Sequence, residues 1–263
     1  MKIGIFDSGI GGLTIAHSIN KKFPHLDIIF YGDTAHLPYG DKSAKNIKFY
    51  SDKISTFLFE EGCNIVVIAC NTASAFAGKT LQRKYKESKI LNVIDPAVQR
   101  AANIEGVKSI GVIGTKGTIS SRIYPRRIQK IKPELKVFSA ATPLLAPMIE
   151  EGFYNNNISQ TIINSYLSKH HLNNIDLLIL ACTHYPLIKN QINEFYNKSV
   201  MLIDSTDVIN AEIERNLEKG KKVKEELKGS LKFYVSDYTR SFEKTASIFF
   251  GRRVQLTEVN FWN

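Results

Sequence analysis

Short apolar runs bounded by Gly, Asp, Asn or Pro constrain this chain more than any other feature. Several of these runs are of strand length and are apolar throughout rather than alternating. Strands of this composition are typical of parallel sheets, because helices then cover both faces and exclude water from them. The pattern predicts strands at 3–6, 28–31, 65–69, 91–94, 110–113, 137–139, 177–181, 201–203 and 231–235.

Helical stretches lie between these runs, at 43–60, 158–170 and 207–217, and residues 230–251 add a further strand and helix. This alternation predicts an α/β fold with mainly parallel sheets flanked by helices. The sequence also contains an internal repeat. In the first half IGIFDSG is followed by IVVIACNTAS, and in the second half IGVIGTKGT is followed by LLILACTHYP. We therefore predict two similar, pseudo-symmetric domains with the active site in the cleft between them. The first comprises 1–96 plus 208–263, and the second comprises 97–207.

Length and composition indicate a soluble enzyme rather than a membrane or secreted protein. The chain has 263 residues, of which 43% are hydrophobic, enough for an ordinary buried core. The opening MKIGIFDSG has no signal-peptide pattern, and no apolar run approaches the roughly 20 residues that cross a bilayer. The chain has only three cysteines, and a small, odd number argues against a disulfide scaffold. We expect a reducing, cytoplasmic location and no contact with membrane.

The net charge of +10 is compatible with an anionic partner. The lysines are scattered, however, apart from a small cluster at positions 219, 221, 222 and 224, and no aromatic side chains are interleaved with them. Nucleic acid is therefore not expected as the primary ligand. Salt-dependent binding to duplex DNA would reveal a secondary role of that kind.

Cys70 and Cys182 occupy matching positions in the two halves, each directly after a buried strand and before small polar residues and a predicted helix. Ligands of open α/β sheets bind at this end of the strands. A helix N-terminus there offers N–H groups that bind carboxylates and favour a thiolate. A single cysteine is often only a small core residue, but the matched pair argues against that interpretation. Cys63 precedes its strand, and we expect it to be structural.

Two thiols that face each other suit the inversion of a stereocentre. One group must remove the proton from one face of a carbon while the other delivers a proton to the opposite face, so they start in opposite protonation states. The sulfurs would lie too far apart for an unstrained disulfide. Asp7 and His184 each follow a strand on the same side and are expected to assist the thiols. The chain is thus predicted to invert a small anionic amino acid.

Other kinds of site fit the sequence less well. Residues 73–80 imitate a phosphate-binding loop, but they are helix formers with Gly78 as their one glycine. Gly9, Gly11 and Gly12 follow a strand, yet Thr14 occupies the third glycine position of a dinucleotide fingerprint. Cys-x-His is not a usual zinc spacing, so no metal is expected. No lysine lies in a strand-end motif that would suit pyridoxal phosphate, and no cofactor is expected.

Six motifs in order, DSGIGGLT, YGDTAHLPYG, ACNTASA, GVIGTKGT, APMIEEG and ACTHYP, resemble those of the glutamate racemases, members of the aspartate/glutamate racemase superfamily. The resemblance runs from residue 3 to the segment FYVSDYTRSFEK. It implies cofactor-independent interconversion of L- and D-glutamate, supply of D-glutamate for peptidoglycan, and a homodimer. Some members of the family also act on DNA gyrase.

The resemblance assigns roles to individual residues. Cys70 would exchange its proton with D-glutamate and Cys182 with L-glutamate, with Asp7 and His184 as assisting acid/base groups. Glu150 matches a glutamate near the site. Thr115 and Thr118 would point their hydroxyls toward the cleft. The substrate contacts implied are Asp7, Ser8, Tyr39, Gly40, Asn71, Thr72, Thr183 and His184.

Two departures from the family pattern are visible, His36 in place of a frequent arginine and Ala181 in place of a glycine. The alternatives within the superfamily are an aspartate racemase and a decarboxylase of malonate-type acids. Two cysteines favour a racemase over the one-cysteine decarboxylase, and the DSG opening favours glutamate over aspartate.

Overall fold

The fold is that of a computed structural model, which describes residues 1–86, 89–154, 156–217 and 228–262. The lysine cluster at 219–224 lies outside the described residues. The strands are β1 Lys2–Asp7, β2 Asp27–Gly32, β3 Ile65–Ile68, β4 Lys89–Asn92, β5 Ser109–Gly114, β6 Lys136–Ala141, β7 Leu177–Ala181, β8 Met201–Asp204, β9 Leu231–Val235 and β10 Leu256–Glu258. The α-helices are α1 Gly12–Lys22, α2 Ala44–Glu60, α3 Asn71–Lys84, α4 Ile94–Asn103, α5 Lys116–Ser120, α6 Ile123–Ile131, α7 Leu145–Glu150, α8 Asn157–Leu167, α9 Lys189–Phe195, α10 Ser205–Leu217 and α11 Arg240–Phe250.

The strands form two parallel sheets. One has the order β10-β9-β2-β1-β3-β4 and the other the order β6-β5-β7-β8. All the pairings are parallel, for example Ile3 with Ile28 and with Ile65. Every residue of β3 and β7 is buried, as expected for strands covered by helices on both faces. The predicted α/β class is confirmed.

The internal repeat appears as a shared strand order. The series β2-β1-β3-β4 in the first sheet matches β6-β5-β7-β8 in the second. Consequently β3 and β7 are equivalent strands, and the cysteines that follow them, Cys70 and Cys182, occupy equivalent places. The C-terminal part of the chain adds β9 and β10 to the first sheet only, and of these β9 lies in the segment 230–251 that was predicted to return to that half.

The predicted strand at 91–94 was wrong at its end, because Val93 and Ile94 lie at the start of α4. The side chain of Asn92 accepts hydrogen bonds from the N–H groups of Ile94 and Asp95, at 3.0 and 2.9 Å, and so turns the chain into the helix. The edge strand β10 was not predicted, since its sequence LTE contains no apolar run. The predicted helix at 158–170 ends earlier, at Leu167.

The segment that imitates a phosphate-binding loop, residues 73–80, lies inside the continuous helix α3. From Ser74 onward its N–H groups donate within the helix, and the N–H of Ala73 donates to Sγ of Cys70, so they cannot surround a phosphate. The prediction that this segment is helical is confirmed.

Helices α4 and α10 join the two sheets. The predicted domain boundaries, 96/97 and 207/208, fall within these helices rather than between elements. Within α10, Ile209 and Ile213 pack in a core cluster of the first sheet, whereas Val208 packs in one of the second. The helix thus contributes to both hydrophobic cores, and the exact domain bounds stay a prediction.

Ile5, at the centre of β1, is fully buried, whereas Ile248 on α11 is 71% exposed. We expect Ile5→Ala to lower the free energy of unfolding by about 2–5 kcal/mol, because it leaves a cavity between sheet and helices. Ile248→Ala should change it by no more than about 0.5 kcal/mol. Urea denaturation followed by far-ultraviolet circular dichroism measures both, and equal effects would contradict this assignment of the core.

Candidate active site

Cys70 and Cys182 line the same cavity, which lies between the carboxyl ends of the two sheets and encloses about 50 Å³. Most of the residues implied as substrate contacts also line it, so the chain brings them together from both halves. The lining comprises Ser8, Leu37, Pro38, Tyr39, Gly40, Cys70, Asn71, Thr72, Thr115, Ala146, Pro147, Glu150, Ala181, Cys182, Thr183 and His184.

Two other cavities are larger, at about 360 and 830 Å³, but they lie elsewhere. One borders β9 and β10, and the other lies at the amino ends of β5 and β6. Neither is lined by a cysteine or a histidine among the described residues. The nucleophilic and acid/base side chains are concentrated in the smaller cavity, which is therefore the candidate active site.

Cys70 caps the N-terminus of α3. Its Sγ accepts a hydrogen bond from the N–H of Ala73 at 3.5 Å and lies 3.9 Å from the hydroxyl of Ser8. Burial, together with the nearby charge of Asp7, raises the pKa of the Cys70 thiol to about 12, although the N–H of Ala73 opposes the shift. Cys70 is thus a thiol at neutral pH in the free protein.

Cys182 belongs to a line of three polar groups. Its Sγ lies 3.5 Å from Nδ1 of His184, and Nε2 of the same ring lies 2.8 Å from a carboxylate oxygen of Glu150. Burial lowers the pKa of His184, but the hydrogen bond and charge of Cys182 and those of Glu150 outweigh burial and raise it well above the ordinary value. The imidazolium then donates one hydrogen bond to Sγ of Cys182 and one to the carboxylate of Glu150.

Asp7 links the two halves of the site. It is fully buried, and its Oδ2 accepts hydrogen bonds from the N–H groups of Gly9 and Gly12, both at 3.0 Å. Its Oδ1 accepts a long hydrogen bond, 3.5 Å, from the hydroxyl of Thr183. Burial raises the pKa of Asp7, while the charge of His184 and the two N–H donors act in the opposite direction.

Gly11 and Gly12 allow the start of α1 to approach the site closely. A Cβ on Gly11 would lie 2.3 Å from Oγ1 of Thr183 and 2.6 Å from the ring of His184. A Cβ on Gly12 would lie 2.3 Å from the Cβ of Asp7. The glycines therefore allow the backbone to contact residues 7 and 183–184. This close packing accounts for the glycine-rich turn, so a dinucleotide-binding role is not needed to explain it.

Three threonine hydroxyls form a hydrogen-bonded triangle between the halves. Oγ1 of Thr72 lies 2.9 Å from that of Thr115 and 3.2 Å from that of Thr118, and the last two are 3.1 Å apart. Thr115 also caps α5. Thr72 and Thr115 line the cavity, whereas Thr118 is buried behind them. Thr118 thus lies behind the other two hydroxyls, whereas the resemblance implies that its hydroxyl points toward the cleft.

The side chains of Tyr39 and Asn71 are already engaged by protein groups. The Tyr39 hydroxyl donates to Oδ2 of Asp33 at 2.5 Å. Oδ1 of Asn71 accepts from the hydroxyl of Tyr124 at 2.7 Å, and its Nδ2 donates to Ser205 at 3.2 Å. At position 71 the backbone can also contact a ligand, because α3 starts there and its first N–H groups have no partner within the helix.

Three residues beside the site were not predicted to belong to it. Tyr124 and Tyr185 are buried, and the charge of Cys182 contributes, after burial, to raising the pKa of each phenol. Thr14 donates a hydrogen bond to the carbonyl oxygen of Thr183 at 3.0 Å. Tyr124 lies outside the six motifs, whereas Thr14 and Tyr185 lie inside DSGIGGLT and ACTHYP, and only the tertiary structure shows which groups they contact.

Neither metal binding nor membrane insertion finds support in the described part of the chain. Its His, Cys, Asp and Glu side chains form no group of three or more that could hold a metal ion. No helix among the described residues is both long enough and apolar enough to span a bilayer.

The arrangement matches a known family of enzymes. The sequence model of the family described as Asp/Glu/Hydantoin racemase matches residues 14–213. The chain belongs to this family. The racemases are isomerases, and the resemblance noted in the motifs is confirmed.

Individual members resemble the whole chain. A glutamate racemase of Geobacter metallireducens is 40% identical over 255 residues, covering 96% of this chain and 93% of its own length. One of Aquifex aeolicus is 39% identical over 257 residues, covering 97% and 96%. The crystal structure of glutamate racemase from Francisella tularensis in complex with D-glutamate superposes with a TM-score of 0.91 at 36% identity, covering 98% of this chain and 97% of that one.

The role of Glu150 can be tested through His184. Glu150→Gln removes the negative charge at Nε2 but keeps the shape, so we expect the pKa of His184 to fall and its imidazolium to lose the proton at lower pH. Glu151→Gln, at the exposed neighbouring position, is the matched control. Nuclear magnetic resonance titration of the histidine rings gives the pKa directly. An unchanged pKa of His184 in Glu150→Gln would show that the contact with Glu150 does not stabilise the charged imidazolium.

Proposed function

We propose that this chain interconverts L- and D-glutamate by a two-base mechanism in which Cys70 and Cys182 act on opposite faces of the α-carbon. The observation that carries the proposal is the placement of the two thiols. They follow equivalent strands of two similar sheets and line one cavity from its two sides. The relatives named glutamate racemase favour glutamate as the substrate.

The two-base mechanism requires the two sulfurs to start each turnover in opposite protonation states. Cys70, buried beside Asp7, keeps its proton, whereas Cys182 lies against the imidazolium of His184. With L-glutamate, the Cys182 thiolate removes the α-proton, and the Cys70 thiol delivers its proton to the opposite face. The product is D-glutamate, and the enzyme is left with a Cys70 thiolate and a Cys182 thiol. That form is the one that converts D-glutamate back, so each direction uses the same two groups.

Binding of the α-carboxylate would stabilise the carbanionic transition state. The N–H groups of Asn71 and Thr72 stand at the N-terminus of α3, where the helix dipole favours negative charge. The hydroxyls of Thr72 and Thr183 lie beside them in the same cavity. These donors are fixed before the substrate arrives, and they need no reorganisation as charge develops. The mechanism therefore draws both electrostatic stabilisation and proton transfer from the two sheets.

The biological role and assembly belong to the same proposal. D-glutamate made in the cytoplasm would supply peptidoglycan synthesis, and the enzyme would act as a homodimer. Three free cysteines are compatible with a reducing compartment. Secondary binding to DNA or gyrase stays a prediction from charge and resemblance.

Circular dichroism of glutamate tests the proposed activity. We expect the signal of L-glutamate, and equally that of D-glutamate, to decay to zero with purified protein and a thiol reductant, without added cofactor or metal. A stable glutamate signal with decay of aspartate would change the substrate to aspartate. No decay with either amino acid from folded protein would refute the proposal.

Cys70→Ser and Cys182→Ser test the two bases in the same assay. We expect each to lower kcat by about 10³-fold or more, because serine is a far weaker acid and base near neutral pH. Cys63→Ala is the control, since Cys63 is buried on the first sheet away from the cavity, and it should keep wild-type activity.

An analogue with a leaving group on the β-carbon separates the two faces. Elimination needs only the removal of the α-proton, so Cys182→Ser should still process the D enantiomer and Cys70→Ser the L enantiomer. Racemisation at the wild-type rate by either serine variant, or elimination with no preference between enantiomers, would contradict the two-base assignment.

A further inference from the structure

The loop between β2 and α2 forms one wall of the cavity, through Leu37, Pro38, Tyr39 and Gly40. It also reaches across to the second sheet, because a Cβ on Gly40 would lie 2.8 Å from the Cβ of Thr115. We call residues 33–41 the wall loop. A small displacement of this loop would change the shape of the cavity and its closure against the other half.

The wall loop is folded around a buried carboxylate that the reaction itself does not use. Asp33 is fully buried, and its backbone N–H donates to the carbonyl oxygen of Asp7 at 2.9 Å. Oδ2 accepts from the hydroxyl of Tyr39 at 2.5 Å. Oδ1 accepts from the hydroxyl of Ser236 at 2.8 Å and lies 2.8 Å from Nδ1 of His36. A buried carboxylate is stable only with such partners, so it fixes their positions.

Tyr39 transmits this constraint to the cavity. Its hydroxyl has one hydrogen, which is given to Asp33, so the phenol has no proton left to donate to a ligand. Burial and the charge of Asp33 raise the pKa of Tyr39 well above its ordinary value, and the charge of Cys70 adds to the shift. The ring therefore stays neutral beside Cys70, held at its far end by Asp33.

A second support comes from the C-terminal end of the chain. The ring of His36 stacks on Tyr50, with centroids 4.1 Å apart, and meets the edge of Trp262 at 4.6 Å. The tail that carries Trp262 is attached to the first sheet, because Tyr31 donates to the carbonyl oxygen of Val259 at 2.9 Å. The outer side of the wall loop is thus covered by an aromatic side chain more than two hundred residues away in sequence.

We propose that Asp33 is a positioning residue of the racemisation site and that Trp262, through His36, holds the same wall loop from outside. The inference rests on the proposed function, since it concerns how that site is kept in its binding-competent shape. Neither residue lines the cavity, so each acts through the loop. When only a fraction of molecules holds the competent shape, the apparent dissociation constant rises in inverse proportion to that fraction.

The two residues should affect different kinetic constants. Trp262→Ala loosens the outer support only, and bound substrate can restore the loop. We therefore expect KM for L-glutamate to rise about tenfold with kcat within about twofold. Asp33→Asn disturbs the hydrogen bond that places Tyr39 beside Cys70, so kcat/KM should fall by about 10- to 100-fold with a lower kcat.

The measurement is steady-state racemisation of L-glutamate by circular dichroism, with thermal unfolding of every variant as the check on folding. Trp262→Phe keeps a ring against His36 and should restore KM. Phe49→Ala is the matched control, because Phe49 contacts Trp262 and Tyr50 while its ring makes no contact with His36 among those the structure gives. It should leave KM unchanged.

A wild-type KM in Trp262→Ala, or an equal rise in Phe49→Ala, would overturn the proposal. So would a failure of Trp262→Phe to restore KM. A wild-type kcat/KM in Asp33→Asn would overturn the role of Asp33, and if that variant does not fold, Tyr39→Phe removes the same hydrogen bond and is judged by the same criterion. If wild-type protein leaves the glutamate signal unchanged, the proposed function itself is refuted. That result differs from active variants with an unaltered KM, which refute only the role of the wall loop.

Discussion

The carboxylate of Asp7 is the interaction on which the arrangement of this site depends. It is buried at the end of β1 and receives N–H groups from the start of α1 and a hydroxyl from the segment that carries Cys182. A buried carboxylate is costly unless these donors remain hydrogen-bonded to it. The contacts therefore hold the two halves in one relative position at this point. The same charge contributes, after burial, to keeping Cys70 protonated.

The site is asymmetric although its frame is repeated. The shared strand order places both cysteines at equivalent strand ends, as the proposed attack on two faces of one substrate requires. The side chains around the sulfurs then differ. Cys70 has a helix N–H and Asp7 nearby, whereas Cys182 has the pair His184 and Glu150. Repetition of the backbone therefore gives the two sulfurs equivalent positions, and the side chains around them give each sulfur different hydrogen-bonding partners.

Sequence reasoning recovered those features that are encoded locally. Apolar runs identified the strands, because a strand that is buried on both faces needs apolar side chains on both. The cysteines were identified because they directly follow such runs. The end of β4 was misplaced because Val93 and Ile94 are apolar for helix packing rather than for a strand. Thr118, Tyr124 and Asp33 could not be assigned their present contacts, because each meets partners brought close only by the tertiary fold.

The central claim, that two distinct bases act on opposite faces, is tested most directly by racemisation in deuterium oxide at low conversion. The account predicts that D-glutamate formed from L-glutamate carries deuterium at the α-carbon, while the remaining L-glutamate keeps its original hydrogen. The reverse direction should behave in the same way, because each thiol exchanges its proton with solvent before use. Product that retains the substrate hydrogen, or deuterium appearing equally in the remaining substrate, would indicate a single base and contradict the account.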